Sequence, residues 1–298
     1  MIYSALLGNP VDHSVSPLLF KEFADLCGIE NYDHLKLCVL YERELPAYLR
    51  TLQLIGCVGA NVTLPYKLSV IPYLNEVDER TKAIGAVNTI IFENDLLLGT
   101  NTDGVGAFRA ITEQLRGVTS NDKIVVLGSG GAARAIIYEL YKVTDQITIL
   151  ARDKEEAEKI SIDFSCSERA PIMIQSLDEE NLYPVLKDAD FLVQATPVGM
   201  YPKITESLVS EDLFNRLSLE RDVKTFHVFD AVFNPYKTLL LQYAEKFGFP
   251  TCSGIWMMIY QAVDAFNLWT GFDVSHADFA VIESKLNQAI NNQYKILE

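Results

Sequence analysis

The segment that does most to narrow what this chain can become is KIVVLGSGGAARAI. In it an apolar run, Ile124-Leu127, enters Gly128-Ser129-Gly130-Gly131-Ala132-Ala133 and then a stretch with helical spacing. A buried strand feeding a glycine turn and a helix is the G-x-G-x-x-A fingerprint of dinucleotide-binding βαβ units. Gly128 suits the tight turn, Gly130 lets a pyrophosphate approach the backbone, and Ala133 lets the helix pack closely on its sheet. The helix start would then offer amides and a positive dipole end to phosphates. Glycines alone are weak evidence, because a tight strand-to-helix turn uses them without any ligand. The strand-turn-helix context is what gives the pattern weight.

Apolar runs read as strands at Ile2-Leu7, Leu35-Leu40, Cys57-Asn61, Thr89-Phe92, Lys123-Leu127, Gln146-Leu150, Phe191-Ala195 and Phe226-Asp230, most of them separated by stretches of helical periodicity. This alternation is the signature of doubly wound α/β sheets, and the fold expected is α/β, with a doubly wound parallel sheet in a Rossmann-type part. Ser16-Pro17 reads as the N-cap and first-turn proline of a helix that Gly28 closes. Two further helices are predicted from Tyr236 to Phe247 and from Gly254 to Trp269. A chain of 298 residues suggests one large or two modest domains, and two is the expectation.

With 25 basic against 40 acidic residues the formal charge is -15. That field repels phosphate backbones and anionic lipid, which argues against nucleic-acid and membrane partners. A small anionic ligand would need local positive charge. Cys27, Cys38, Cys57, Cys166 and Cys252 are odd in number, scattered and without a Cys-x-x-Cys spacing. They indicate neither a disulfide framework nor a metal site, and fit a reducing cytoplasm. MIYSALLGNPVDHS lacks a basic n-region and breaks at Gly8 and Pro10, unlike a signal peptide. Ile255 to Trp269 is interrupted by Gln261, Asp264 and Asn267 and falls short of the roughly 20 apolar residues of a bilayer span, so it reads as a core helix.

About 20 residues beyond Ala133, where adenosine-ribose selectivity is decided, stand Arg152 and Asp153. A guanidinium can pair with a 2'-phosphate, whereas a carboxylate accepts from a free 2'-hydroxyl and repels that phosphate. Arg152 therefore points to NADP and Asp153 to NAD, and a solvated turn pair is the plain alternative. Three polar clusters, HSVSP (His13 to Pro17), NVTLPYK (Asn61 to Lys67) and NTDG (Asn101 to Gly104), lie where predicted strands meet loops or helices. Loops at the carboxyl ends of strands converge on the ligand crevice of α/β sheets, so these hydroxyls, amides, lysine and aspartate suit a small polyhydroxylated acid. Singly, each has a structural reading: Ser16 and Asp103 as N-caps, Asn61 and Asn101 as turn residues, Lys67 as a solvated cation.

In order, the segments GNPVDHSVSP, GANVTLPYK, IGAVNT, GTNTDGVG, VLGSGGAAR, ATPVGM, DAVFNP and GIWMMIYQAVDAFNLWTG resemble the shikimate dehydrogenase family, which includes quinate/shikimate dehydrogenases, over almost the whole chain. The resemblance implies two domains, an N-terminal α/β substrate domain to which the C-terminal helices return and an inserted Rossmann-type domain. It places the first at 1-106 and 238-298 and the second at 107-237. It implies reversible reduction of 3-dehydroshikimate to shikimate, a step of aromatic amino acid biosynthesis, with NADP as cofactor and NAD as the alternative. By the same resemblance Lys67 and Asp103 form the catalytic pair. Ser14, Ser16, Asn61, Thr63, Asn88 and Gln261 bind substrate, and Gly128 to Ala133, Arg152, Asp153, Thr196, Val232, Gly254 and Met257 serve the cofactor. His13 is left as a loop residue.

Departures bear on the expectation. Phe233 stands where the family often has a tyrosine that helps hold the substrate carboxylate, so one hydrogen bond would be missing. Phe20 replaces a common histidine, read as a packing change. Ala151-Arg152-Asp153 departs from the Asn-Arg-Ser/Thr pattern of strongly NADP-selective members. The expectation is thus a cytoplasmic monomer or homodimer acting on a small molecule. Its alternatives are an NAD-preferring quinate/shikimate dehydrogenase and a non-catalytic metabolite sensor on the same fold.

Overall fold

The alternation of apolar and amphipathic stretches does become an alternation of strands and helices, in a computed structural model that describes residues 1–164 and 169–295. Cys166 lies outside the described residues; Cys27, Cys38, Cys57 and Cys252 carry free thiols. The chain forms two compact units, one of Met1–Thr102 together with the stretch from Gln261 onward, the other of Asp103–Tyr260.

The first unit opens with β1 (Ile2–Gly8), α1 (Ser16–Leu26), β2 (Tyr32–Cys38), α2 (Leu45–Leu54), β3 (Gly59–Val62), β4 (Glu76–Val77), α3 (Glu79–Ile84), β5 (Thr89–Glu93) and β6 (Leu96–Thr100). Its sheet runs β2-β1-β3-β5-β6-β4. β1 is parallel to β2 and β3, whereas β5 is antiparallel to both β3 and β6. The sheet of this unit is therefore mixed, with β5 the strand that runs against its neighbours. Asn94 and Asp95 adopt φ of 49° and 65°, the left-handed pair of a two-residue hairpin turn, which folds β6 straight back on β5. Ala5, Leu7, Leu45, Leu49, Val62 and Ile90 form part of the core on this sheet.

Helix α1 begins one residue off the expected register. Ser16 is its first residue and Val15 the N-cap, with Pro17 in the first turn. Its end is as read. Gly28 has φ +68°, its amide bonds Asp25 O at 3.1 Å, and Ile29 N bonds Ala24 O at 2.9 Å. These two bonds make the Schellman closure that glycine permits. Phe20, fully buried, stacks on His34 at 4.3 Å and lies 5.2 Å from the Trp269 ring, so its place is in the packing.

The second unit contains α4 (Asp103–Gln114), β7 (Ile124–Leu127), α5 (Gly131–Tyr141), β8 (Ile147–Ala151), α6 (Lys154–Phe164), β9 (Met173–Ser176), α7 (Glu179–Lys187), β10 (Phe191–Gln194), α8 (Glu211–Glu220), β11 (His227–Asp230), α9 (Leu239–Lys246) and β12 (Thr251–Ser253). Its strand order, β12-β11-β10-β7-β8-β9, is parallel throughout. Renumbered from β7, this is the 6-5-4-1-2-3 order of a Rossmann sheet, whose order reverses between β7 and β10. β7, β10 and β11 are buried on both faces, which explains why IVVL, FLVQ and HVFD read as continuous apolar runs.

Two long helices complete the chain, α10 (Gly254–Thr270) and α11 (Phe279–Lys295). The division differs from the expected boundaries at 106/107 and 237/238. Residues 238-260 fall in the second unit because β12 pairs with β11 in register, Asp230 opposite Ser253. Leu240, Leu241 and Ala244 of α9 also join the same core as Leu127 and Val228. α9 is shorter than predicted, since Thr238 rather than Tyr236 is its N-cap, accepting from Leu241 N. No helix among the described residues is long and apolar enough to cross a membrane.

Candidate active site

In the first unit, register puts four chain segments at one end of the sheet. Leu7 lies opposite Val62, Asn61 opposite Thr89, and Thr89 opposite Thr100. The loop after β1, the loop after β3, the start of β5 and the end of β6 therefore share an edge. The first carries Ser14 and leads into Ser16 at the start of α1; their hydroxyls lie 2.8 Å apart, and Ser16 N also donates to Ser14 Oγ at 3.2 Å. The second carries Thr63, whose amide donates to Leu7 O at 2.9 Å, and Lys67, whose carbonyl accepts from Val87 N at 2.7 Å.

Asn88 sits 3 % exposed at the centre of this edge. Its Oδ1 accepts from Thr102 N at 2.8 Å and Thr89 Oγ1 at 3.0 Å, and its Nδ2 donates to Thr102 Oγ1 at 2.9 Å and Gln261 Oε1 at 3.3 Å. Asn61 is on β3 rather than in a turn, and its Nδ2 donates to Asn88 O and Thr89 Oγ1, both at 3.3 Å. Asn61, Asn88 and Gln261 thus belong to one hydrogen-bonded set, in which Thr89 and Thr102 are members that sequence reasoning left unnamed. Thr102 lay inside the quoted NTDG cluster, which was the available signal. Asn101 Nδ2 donates to Ala86 O at 2.8 Å and fixes the chain just before Thr102.

The second unit begins at Asp103, the first residue of α4, with a side chain that is almost wholly buried. Gly104 follows, and a Cβ there would meet Ala135 O at 2.3 Å, so this glycine serves close packing against α5. The glycine turn after β7 has the expected geometry. Gly128 has φ +111°, and a Cβ on it would strike Thr196 Cγ2 at 2.8 Å, which places the loops after β7 and β10 in contact at the switch point. Gly130 is the N-cap of α5 and its missing Cβ faces open space, while Ala133 is buried. Ser129, Gly131 and Ala132 complete that turn and first helical residues.

Arg152 and Asp153, which argued against each other in the sequence, have different employment here. Both are exposed, but Asp153 Oδ1 accepts Glu156 N at 3.1 Å and so caps α6. Thr196 is held by Gln194, which accepts from Thr196 N at 2.9 Å and Oγ1 at 2.8 Å and donates to Val198 O at 3.0 Å. Val232 N donates to Asp230 Oδ1 at 2.9 Å, Gly254 N donates to Val232 O at 3.3 Å, and Met257 is buried. Gln194 and Asp230 escaped the sequence reading. Each is a polar residue ending an apolar strand, and the two are register partners on β10 and β11. Burial pushes the Asp230 carboxyl up to about 7, against the hydrogen bonds from Thr238 and Val232. Among the described residues no cluster of three or more His, Cys, Asp or Glu side chains could hold a metal ion.

Residues 6–90 match the family model described as the shikimate dehydrogenase substrate binding domain, and residues 254–279 that of the shikimate 5'-dehydrogenase C-terminal domain. Residues 124–207 match the saccharopine dehydrogenase NADP binding domain. A shikimate dehydrogenase (NADP(+)) of Methanococcus maripaludis is 36% identical over 287 residues, covering 96% of this chain and 96% of that protein. Among solved structures, a shikimate dehydrogenase in complex with NADP+ superposes with a TM-score of 0.84 at 33% identity, covering 98% of this chain and 96% of that one. A quinate dehydrogenase from Corynebacterium glutamicum in complex with NAD gives 0.81 at 27% identity, covering 98% and 99%.

Proposed function

The chain belongs to the shikimate dehydrogenase family, and from that premise we propose that it reduces 3-dehydroshikimate to shikimate, reversibly, with NADPH. It is an oxidoreductase acting on a CH-OH group and works in aromatic amino acid biosynthesis. The observation that carries this reading is full-length similarity to an NADP-dependent shikimate dehydrogenase, with Lys67 and Asp103 both present in the motifs NVTLPYK and NTDG.

The residues present fit the cofactor. Open space at the missing Cβ of Gly130, the positive φ of Gly128 and the uncapped start of α5 make a cradle for a pyrophosphate. Gly128 to Ala133, Thr196, Val232, Gly254 and Met257 would hold the dinucleotide. Arg152 would take the 2'-phosphate, because its guanidinium is exposed at this turn while Asp153 Oδ1 accepts from Glu156 N at the start of α6. When bound, NADPH supplies the hydride.

The chain's own part is electrostatic and protonic. As negative charge develops on the substrate oxygen, the Lys67 ammonium stabilises it and delivers a proton from Nζ. Asp103, its partner in the catalytic pair, accepts from a substrate hydroxyl. Ser14 and Ser16 receive the substrate carboxylate, and Asn61, Thr63, Asn88 and Gln261 address the ring hydroxyls. The enzyme would act as a monomer or homodimer in the cytoplasm, a compartment supported by the four free thiols among the described residues.

The NAD-preferring quinate reading rested on Asp153 and Phe233, and the capping role of Asp153 removes its first support. Specificity constants for shikimate and quinate with each cofactor test the choice. Shikimate with NADP+ is expected to be highest, and a higher value for quinate with NAD+ would overturn it. Lys67→Ala should lower kcat by about 100-fold or more while leaving KM within a few-fold. Undiminished turnover in that variant would end the assignment. A wild-type chain that binds shikimate by calorimetry yet never turns it over would instead be a sensor.

A further inference from the structure

The fully buried Asp230 is the last residue of β11, and its carboxylate is engaged on both oxygens by the loop that follows. Oδ1 accepts Val232 N at 2.9 Å and Oδ2 accepts Thr238 Oγ1 at 2.6 Å. Thr238 in turn caps α9 through Leu241 N. One side chain therefore ties down both ends of the stretch between β11 and α9. Three backbone bonds hold the same stretch: Ala231 N to Gln194 O at 2.8 Å, Gly254 N to Val232 O at 3.3 Å and Tyr201 N to Asn234 O at 3.0 Å. There is no slack at its base, since a Cβ on Gly254 would meet Ala231 O at 2.3 Å. A hydrophobic residue would fill this buried strand end at lower cost, because a lone carboxylate in an apolar interior is strongly disfavoured. Asp230 is therefore better explained by what it holds than by what it fills.

We propose that Asp230 is a positioning residue for the cofactor, which fixes the 231-238 loop so that Val232 and Gly254 present a rigid wall to the dinucleotide without itself touching it. This rests on the reading of Val232 and Gly254 as cofactor residues. Preorganisation of this kind lowers the ordering cost of binding, so its loss appears in affinity for one ligand and not the other. Thr238 is the second member of the device, as it receives one end of the tie.

The test compares Asp230→Ala, Asp230→Asn and Thr238→Val with the wild type, reading NADP+ and shikimate affinity by calorimetry and KM and kcat for each. In Asp230→Ala and Thr238→Val the KM for NADPH should rise about tenfold or more, with the KM for 3-dehydroshikimate within about twofold. Asp230→Asn keeps an acceptor for Val232 N and a polar contact to Thr238, and should restore NADPH affinity to within about threefold of wild type. Equal losses for both ligands, or wild-type NADP+ affinity in a folded Asp230→Ala, would overturn the proposal. So would loss of the fold in both Asp230→Ala and Thr238→Val, which would make the tie purely structural. A wild-type chain that binds no NADP+ would refute the family-based cofactor reading rather than this one.

Discussion

At the scale of the residue, hydrogen-bonded carboxylates divide according to what surrounds them. Asp78 accepts from Thr81 N and Thr100 Oγ1 at the surface, and these bonds hold its carboxyl below the usual range even though its partial burial opposes them. Asp230 accepts two bonds as well, but complete burial wins and pushes it up to about 7 from 3.8. A proton is therefore held by the native state and released by the unfolded state between about pH 4 and pH 7. The native form binds more protons in that window, so this residue's contribution to stability is full below about pH 4, falls as pH rises, and levels off above about pH 7. Asp230→Asn should remove that slope, so the stability difference between variant and wild type should grow in the variant's favour by up to a few kcal/mol across the window. Urea denaturation at several pH values checks it, and a difference that does not change with pH would contradict the assignment. Asp153 gives a second case, because its identity alone could not say whether it faced a ribose or a helix end. Asp153→Ala should cost about 1 kcal/mol as a lost cap and leave the preference for NADP+ over NAD+ intact. Arg152→Ala should abolish most of that preference at little cost in stability, as measured by the ratio of specificity constants. An inverted outcome, with Asp153 governing cofactor choice, would return the NAD reading.

At the scale of the element, all eight strands read from apolar runs exist, and the glycine turn after β7 is where the fingerprint put it. The four strands that were not read fail for identifiable reasons. β4 and β12 are only two and three residues long, too short for any period to register, and β9 has a half-exposed pattern in place of an apolar run. β6 carried a usable signal, the Asn94-Asp95 turn, whose left-handed pair closes a two-residue hairpin with β5. The site was legible mainly as motifs. Register then explained why those motifs belong together in the first unit, and it also showed that some motif residues serve packing. Gly59, in GANVTLPYK, is one of these. A Cβ at Gly59 would lie 2.0 Å from Trp269 Nε1 and 2.6 Å from Ile90 O, the two atoms joined by the 2.9 Å indole hydrogen bond. Gly59→Ala should break that bond and force the indole aside, destabilising the protein by about 1–3 kcal/mol or more. Because Asn61 and Thr63 follow on the same strand and loop, KM for the substrate should rise with it. A variant of wild-type stability by thermal denaturation would show that β3 and α10 yield more easily than this packing implies.

At the scale of the whole molecule, the net charge of -15 sets a condition that the local structure must meet, since both proposed ligands are anions. They must be bound against the overall field, through helix-end amides, hydroxyls, Arg152 and Lys67. These groups are not shared evenly along the chain. The whole proposed cofactor set, from Gly128 to Met257, lies within the continuous stretch Asp103–Tyr260, which has its own six-stranded parallel sheet and its own core around Leu127, Leu192 and Val228. Lys67, Ser14, Ser16 and Asn88 lie in the other unit, which the chain leaves after Thr102 and re-enters at Gln261. A continuous unit with a complete core is able to fold alone, whereas one assembled from two chain ends requires both. The fragment 103–260 is therefore expected to fold cooperatively by circular dichroism and to bind NADP+ with an affinity within about tenfold of the full chain, a difference of about 1.4 kcal/mol. It should bind no shikimate and show no turnover, because it lacks Lys67. A fragment that stays unfolded would mean that the second unit depends on the first. Reduction of 3-dehydroshikimate by the fragment would remove Lys67 from the chemistry altogether.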